Sequence, residues 1–267
     1  MSVSGPLNFK PPQVIGVLDH SQDPEGHVPS ELLPQGLDVV VPLWPSYATQ
    51  PGDRDKLVVR YEQVGQIPVV IINEYLPADI KPEFVIHIEP KYLLSDGVGK
   101  LWYEVYDTAD HPSFSDHRNL TIDHSPVRDD LEMVTFRDAD PWGTVHCFTE
   151  PAIWTGIWLV IPALTGSKVG DRCEVTWRGY GPSSSGSVEI PRTRWENIRQ
   201  SLSDQDVKTG YSLTVNPYVP HIEPMVANAS ATVIYRIFRG ARLVGMSKVA
   251  TLKISRMLAG DPVPCGP

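Results

Sequence analysis

Proline is the feature that most constrains this chain, because 26 of its 267 residues are proline and they are spread along its length. A proline inside a helix lacks the backbone N–H that the helix needs, and its ring clashes with the preceding turn. The proline share is roughly twice the usual one, so long helices are not expected. The sequence therefore predicts an all-β fold of short strands joined by turns, rather than an α/β or all-α fold.

Short runs of β-branched and aromatic residues follow one another between Pro, Gly, Asn and Asp residues, which is typical of a β-sandwich or barrel. One window, Thr193–Leu202, is instead predicted as a short helix or a loop with a helical turn. Along the arm, Val14–Leu18 is a further candidate strand. The predicted strands are Leu37–Val41, Leu57–Tyr61, Val69–Ile72, Phe84–Ile88, Leu101–Tyr106, Leu120–Ile122, Met133–Phe136, Trp158–Ile161, Cys173–Trp177, Ser187–Ile190, Tyr211–Val215, Thr232–Phe238 and Val249–Ile254.

The predicted strands form an internal repeat. Five short segments of the first half have similar segments in the second half, in the same order and 118 to 132 residues further on. The alternation of side chains in WYEVYD places Trp102, Glu104 and Tyr106 on one face of a strand and Tyr103 on the other. Because proline interrupts a central ladder, the paired prolines should mark strand ends. The pairs are Val41-Pro42 with Ile161-Pro162, Gly52-Asp53 with Gly170-Asp171, Phe84–Tyr92 with Tyr211–Val219, Trp102–Asp107 with Ile234–Arg239, and Leu120–Ile122 with Leu252–Ile254.

At these segments the chain resembles the bacterial immunoglobulin-like repeats of large repetitive surface proteins and adhesins. The resemblance lies in the Gly-Asp pairs before strands that end on an aromatic residue, and in WYEVYDTADHPSFSDHRNLTID at Trp102–Asp123. It covers residues 31–124 and, more weakly, 150–256, where Arg239 stands in place of Asp107. It implies two tandem immunoglobulin-like β-sandwiches, at 31–124 and 125–267, after an irregular Pro-rich N-terminal arm at 1–30. The tail is expected to be irregular from about residue 256.

The charge balance argues against nucleic acid as a partner. Lys and Arg number 23 against 32 Asp and Glu, which gives a formal charge of 23 − 32 = −9, whereas nucleic-acid binders carry a basic surface. No apolar run approaches the length of a membrane span, so membrane insertion is not expected. The first residues show neither a basic nor an apolar leader segment. We expect a secreted or cell-surface protein without a visible cleaved signal peptide, with the cytoplasm as the alternative.

The cysteines Cys147, Cys173 and Cys265 are odd in number and contain no CxxC pair, so the sequence predicts neither a disulfide framework nor a zinc site. Cys147 and Cys173 are expected to be buried free thiols. Cys265 is expected to be exposed near the terminus.

Tryptophans outside the strand centres supply the candidate ligand-binding residues. Trp44, Trp142, Trp154 and Trp158 could stack on the rings of a carbohydrate or pack between the domains. The stretch Asp107–Asp130 is rich in Asp and His, which would suit a metal ion, but a solvated loop and linker, where turn geometry favours Asp, is the preferred interpretation. No cofactor is predicted. The alternative is a structural Ca²⁺ between the domains, held by Asp123, Asp129 or Asp130.

Taken with the resemblance, the sequence predicts a non-enzymatic binding or adhesion module that presents loops at the sandwich ends to a protein or glycan. The first alternative is a carbohydrate-binding protein that uses exposed tryptophans. The second is a hydrolase with a carboxylate pair in the cleft between the domains. No GxSxG motif is present, and His146 and Cys147 are strand neighbours that point to opposite faces. No catalytic residue is predicted, and the ligand and the oligomeric state stay open.

Overall fold

We describe the protein from a computed structural model, which covers residues 8–182, 188–258, 260 and 262–267. Within these residues the fold is all-β, as predicted, and the α-helices are two short ones, α1 (Asp204–Thr209) and α2 (Tyr218–His221). No helix in this part of the chain has the length and apolar character needed to cross a membrane. The chain clusters into two compact units, the first ending at Ser125 but including Gly240–Arg242, and the second containing the rest.

The first unit is a sandwich of two sheets. One sheet has the order β2-β3-β6, and the other has the order β1-β8-β7-β4-β5 with β9 also paired to β7. Its pairs are antiparallel apart from the β1–β8 pair. The strands are β1 (Asn8–Phe9), β2 (Gln13–Val14), β3 (Leu37–Pro42), β4 (Asp55–Gln63), β5 (Val69–Tyr75), β6 (Glu83–Ile88), β7 (Gly97–Tyr106), β8 (Pro112–Ser115) and β9 (Arg118–Ile122).

Alternating side chains of the two sheets build the core of the first unit, because successive residues of a strand point to opposite faces. Residues of the predicted arm take part: β2 pairs with β3, and Val14, Val17 and Val28 are buried in the same core. The main strand contributions are Leu37, Val39, Val41, Leu57, Val59, Tyr61, Phe84, Ile86, Ile88, Leu101, Tyr103, Val105, Leu120 and Ile122.

The second unit repeats this arrangement. Its sheets have the orders β11-β13-β16 and β10-β18-β17-β14-β15, with β19 joining β17 and β12 joining β19. Cys173, Val175 and Trp177 of β14 point into a core of their own. The strands are β10 (Arg128–Leu131), β11 (Thr135–Phe136), β12 (Thr144–His146), β13 (Ile157–Ile161), β14 (Arg172–Tyr180), β15 (Trp195–Arg199), β16 (Tyr211–Val215), β17 (Ala229–Arg239), β18 (Arg242–Ser247) and β19 (Ala250–Ser255).

The strand registers confirm the repeat. Val59 lies opposite Tyr103 in the first unit, and Val175 lies opposite Tyr235 in the second. The matched prolines stand at strand ends: Pro42 is the last residue of β3 and Pro162 directly follows β13, while Pro90 and Pro217 follow β6 and β16. In each unit one sheet has three strands and the other has more than four, and the strands follow one another in the same order. This arrangement defines two immunoglobulin-like sandwiches.

One local prediction is wrong, and a second is confirmed only in part. Thr193–Leu202 contains strand β15, in which Trp195 pairs with Trp177 and Arg199 with Cys173, because pairing with β14 overrides the weak helical preference. Of the predicted strand Met133–Phe136, only Thr135 and Phe136 form a strand, which is β11. The predicted strand Ser187–Ile190 starts at Ser187, which lies outside the described residues, and Glu189 forms a single bridge with Tyr180.

The cysteine prediction is also wrong in part. Cys147 and Cys265 form a disulfide across a sequence separation of 118 residues. Cys265 is half-buried, and Arg256 donates hydrogen bonds from Nε and Nη2 to its carbonyl oxygen at 3.0 and 2.8 Å. Cys173 is buried and free, as predicted. Counting cysteines could not reveal the pairing, because the fold brings the tail beside the segment after β12.

Candidate functional site

The first unit carries an exposed sheet surface of mixed apolar and charged side chains. It lies on the side of β5, β4, β7 and β8 that faces away from the core. Across the strands, Val58 lies between Ile72 and Glu104, and Glu104 in turn lies opposite Phe114. We call this surface the outer face; its residues are Lys56, Val58, Arg60, Val70, Ile72, Glu74, Trp102, Glu104, Tyr106 and Phe114.

Apolar side chains on the outer face are strongly exposed. Ile72 is 59% exposed, Val70 44% and Phe114 41%. Val58, in contrast, is 3% exposed although it does not belong to the core cluster, so its neighbours on the outer face cover it. Val70 and Ile72 are neighbours on this side of β5, whereas Val58 and Glu104 lie between Ile72 and Phe114. Exposed apolar residues that lie together mark interaction sites, whereas single ones are ordinary.

An ion pair and a hydrogen bond fix the centre of the outer face. Nε of Arg60 lies 2.6 Å from Oε1 of Glu104, and the hydroxyl of Tyr106 donates to Oε2 of Glu104 at 2.9 Å. Burial alone would raise the pKa of Glu104, but the hydrogen bonds from Arg60 and Tyr106 lower it below its usual value. The same hydrogen bond raises the pKa of Tyr106. Glu104 is therefore ionised at neutral pH.

Aromatic contacts complete the outer face. Nζ of Lys56 lies 4.2 Å from the centre of the Tyr106 ring, a cation–π contact. The ring of Trp102 meets that of His117 edge to face at 4.8 Å. Trp102 is half-buried here and is not part of the core. Tyr, Trp and Arg are the residues that most often contribute strongly to protein interfaces.

The sequence revealed half of this surface. The alternation in WYEVYD assigned Trp102, Glu104 and Tyr106 to one face correctly. The contribution of β5 was missed, because the continuous apolar run Val69–Ile72 is typical of a strand buried on both faces. In the structure Val69 is buried in the core while Val70 and Ile72 face outward.

The four tryptophans predicted to bind a ligand differ in burial and in their contacts. Trp44 is buried: its Nε1 donates to Asp55 at 2.8 Å and its ring stacks on Phe84 at 5.0 Å, so its prediction as an exposed sugar platform is wrong. Trp154 packs against the second core, and the guanidinium of Arg137 covers the ring of Trp158 at 4.2 Å.

Trp142 alone among the four is strongly exposed, at 78%. It lies in a turn that Asp140 holds, since Oδ1 of Asp140 accepts hydrogen bonds from the amides of Trp142 and Thr144 at 2.9 and 2.8 Å. The turn presents the ring outward, so the prediction that Trp142 contacts a sugar stands as a prediction.

The predicted metal ligands are engaged in ordinary contacts. Oδ1 of Asp123 accepts a hydrogen bond from the amide of Ser125 at 2.8 Å. Asp130 pairs with Arg128 at 3.3 Å, and Asp129 is an exposed residue of β10. Across the described parts of the chain, no three His, Cys, Asp or Glu side chains group as ligands for a metal ion. The structural Ca²⁺ and the hydrolase alternative both stay predictions.

Comparison with known proteins gives likeness of fold only. No protein-family model matches the chain, and no curated protein matches it. The FN1–FN3 domains of chicken CNTN1 are similar, with 12% identity over 94% of this chain and 68% of that chain and a TM-score of 0.48.

Two adhesin structures are also similar. A tetra-tandem repeat from the extending region of a large adhesion protein has 12% identity over 85% of this chain, with a TM-score of 0.28. A Ca²⁺-stabilised adhesin with which an Antarctic bacterium binds ice has 10% identity over 92% of this chain, with a TM-score of 0.34. The chain spans 47% and 48% of these two structures. At such scores they carry no argument about function, and the assignment of two immunoglobulin-like sandwiches rests on strand order and register.

Proposed function

We propose that the protein is a non-enzymatic binding module of adhesion type, and that the outer face of the first unit contacts a protein partner. The observation that supports this most is the exposure of Ile72, Val70 and Phe114 on hydrogen-bonded strands. Because the strands hold these side chains in place, binding orders little backbone and loses little entropy. Trp102, Tyr106 and Arg60 provide side chains suited to the centre of an interface.

Comparison of the two units supports this choice of surface. The registers make Glu174 the equivalent of Val58 and Glu196 the equivalent of Val70. The second unit therefore has carboxylates where the first has valines, although both keep apolar residues inside. The same registers make Ile198, which is 48% exposed, the equivalent of Ile72. The copies thus share the exposed isoleucine and differ in the residues beside it, which are apolar only in the first unit.

The disulfide supports a compartment outside the cytoplasm. A Cys147–Cys265 bond persists in an oxidising environment and is rare where thiols are kept reduced. We therefore place the protein at a cell surface or in the extracellular medium, where an adhesion module would meet its partner.

Binding of the labelled full chain to intact cells tests this proposal. We expect saturable binding that falls at least about tenfold in the double variant Ile72→Lys, Phe114→Ser, since roughly 1.4 kcal/mol of lost interface energy suffices. The matched control is Val85→Lys, which changes an exposed valine (54%) on β6 in the other sheet. Protease treatment of the cells should abolish binding. Equal binding by the wild-type chain and the double variant, or no saturable binding to any cell type, would contradict the proposal.

Carbohydrate binding through Trp142 is the second candidate, and the exposure of that ring on a turn braced by Asp140 favours it. Sugars stack on the faces of such aromatic rings. On a glycan array, Trp142→Ala should abolish any signal, whereas Tyr47→Ala, which removes a 40% exposed aromatic ring from the first unit, should not. A signal that both variants keep would remove Trp142 from consideration.

A further inference from the structure

Strand β5 forms an open edge of the sheet that carries the outer face. It is the end strand of that sheet, and β4 is its single hydrogen-bonded neighbour in the described part of the chain. With seven residues it is the longest of the strands that end a described sheet. An edge strand presents a row of unpaired N–H and C=O groups, which is a template for pairing with another strand.

The features that usually prevent such pairing are missing from β5. They are charged side chains, especially Lys, together with Pro and β-bulges. The strand VVIINEY contains no Lys, Arg or Pro, and its seven pairs with β4 run from Val69 to Tyr75 without a register shift. Its one charged residue is Glu74, whose Oε2 lies 2.7 Å from Nη1 of Arg54, so this edge carries little net charge.

Apolar side chains of β5 are accessible on both faces of the sheet. Val70 and Ile72 are exposed on the outer face. On the core side Ile71 is only half-buried, whereas Val59, its neighbour on β4, is 1% exposed. A further strand beside β5 would therefore bury apolar surface on both faces, which is favourable.

The equivalent strand of the second unit has a charged residue that β5 lacks. Arg199 of β15 lies opposite Cys173, as Asn73 of β5 lies opposite Leu57. Arg199 is therefore on the core side of an edge strand, and its Nε pairs with Oδ2 of Asp206 at 2.9 Å. Inward-pointing charges are one of the ways in which proteins protect an edge from pairing. Of two equivalent edges, the one in the second unit is protected and the one in the first is open.

We propose that β5 pairs antiparallel with β5 of a second copy of this chain, so that the protein forms a dimer through its first unit. A two-fold axis at Ile71 sets Ile71 against itself and Val70 against Ile72 of the second copy. Each apolar side chain then meets an apolar one on the same face of the joined sheet. Glu74 falls opposite Pro68, so no like charges face each other. This self-complementarity is the reason to assign a second copy as the partner.

The dimer goes beyond the proposed function and does not depend on it. It would join two sheets edge to edge and place two outer faces side by side, which raises the avidity for a cell surface. One strand from each copy makes a small interface, below about 1,200 Å², so we expect a dissociation constant in the micromolar range.

Sedimentation velocity of the purified full chain over a concentration series tests the proposal. We expect a reversible monomer–dimer equilibrium. Val70→Lys combined with Ile72→Lys sets lysine against lysine twice across the two-fold axis and should weaken dimerisation at least about tenfold. Val70→Glu combined with Ile72→Lys sets Glu against Lys in the same register and should restore dimerisation. Because the double lysine variant changes the formal charge from −9 to −9 + 2 = −7, general repulsion between acidic chains does not explain its loss.

Two controls separate this proposal from the others. Ile198→Lys makes the same change at the equivalent exposed position of β15 and should leave dimerisation unchanged. Phe114→Ser alters the outer face on β8, away from the β5 edge, and should also leave it unchanged. Loss of cell binding without loss of the dimer, or the reverse, therefore shows which proposal fails.

Hydrogen exchange of the wild-type chain gives a readout that needs no variant. Amides of β5 should exchange more slowly as the concentration rises, while those of β15 should not change. A wild-type chain that stays monomeric up to millimolar concentration would overturn the proposal. So would a dimer that the double lysine variant keeps, a dimer that Ile198→Lys weakens equally, or a Glu–Lys variant that associates no better than the double lysine variant.

Discussion

At the scale of single residues, two buried aspartates hold the turns that precede β4 and β14. Oδ2 of Asp55 accepts from Nε1 of Trp44 at 2.8 Å and from the amide of Ala48 at 2.9 Å. Oδ2 of Asp171 accepts from the amide of Lys168 at 2.7 Å and pairs with Arg239 at 2.9 Å. The strand registers make these two residues equivalent.

The sequence paired Asp53 with Asp171 instead. Gly52 and Gly170 both have positive φ, at 95° and 94°, so the turn signal itself is confirmed in both units. The pairing of the Gly-Asp residues is wrong by two positions, because the registers align Asp55, and not Asp53, with Asp171. Burial and hydrogen bonding distinguish Asp55 from Asp53, and neither is visible in a Gly-Asp pattern.

Asp55→Ala should therefore destabilise the first unit. Its removal leaves the indole N–H of Trp44 and the amide of Ala48 buried without their acceptor, each at a cost of about 1–3 kcal/mol. Urea denaturation should show the free energy of unfolding lowered by about 2–4 kcal/mol. Asp53→Ala is the matched control and should change it by no more than about 0.5 kcal/mol. Equal effects of the two substitutions would contradict the assignment.

At the scale of strands, the sequence predicted the strands that have a clear apolar pattern of their own. It missed the strands that form only because a neighbouring strand supplies their hydrogen-bond partners. β4, β7, β14 and β17 lie where the runs of β-branched and aromatic residues predicted them. β8 (PSFS) and β18 (RLVGMS) have weak patterns of their own, because they contain proline, serine or glycine. They are strands since β7 and β17 supply their hydrogen-bond partners. In both, a serine hydroxyl accepts the amide of the equivalent tyrosine: Ser115 with Tyr103 at 2.9 Å and Ser247 with Tyr235 at 3.0 Å.

The Arg60–Glu104 pair on β4 and β7 should make the stability of the first unit depend on pH. The pKa of Glu104 is lowered below its usual value of 4.5. The contribution of its carboxylate is therefore complete above pH 4.5 and is lost as the pH falls through the lowered pKa. The difference in unfolding free energy between the wild-type chain and Glu104→Gln should be larger at pH 7 than at pH 3. Glu62→Gln changes an exposed carboxylate on β4, the strand of Arg60, and should show a smaller pH dependence. Identical profiles for the two variants would contradict the role of Glu104.

The disulfide joins the segment after β12 to the C-terminal tail and should stabilise the second unit. Closing a loop of this length is worth about 2–5 kcal/mol. Cys265→Ser, or reduction of the wild-type chain, should lower the melting temperature, and reductant should have no further effect on the variant. Cys173 should stay unmodified by thiol reagents in the folded chain, because burial raises its pKa to about 11. A melting temperature that reduction leaves unchanged would contradict the pairing.

At the scale of the whole molecule, one sandwich is present twice with equivalent cores and different surfaces. Leu57, Val59 and Tyr61 of the first core correspond to Cys173, Val175 and Trp177 of the second. On the outside, Val58 and Val70 of the first unit correspond to Glu174 and Glu196 of the second, while the exposed Ile72 corresponds to the exposed Ile198. The repeat could be predicted because core positions follow strand periodicity. The contribution of β5 to the outer face could not, since an exposed apolar residue on a strand has the same sequence signal as a buried one.

Site-specific photo-crosslinking on intact cells tests the central claim most directly. A photoreactive residue in place of Ile72 on the outer face is compared with one in place of Val85 on the opposite sheet. We predict that position 72 yields a discrete protein adduct that excess unlabelled wild-type chain competes away, and that position 85 yields none. Equal adducts from both positions, or an adduct from position 85 alone, would contradict the assignment of the outer face as the binding surface.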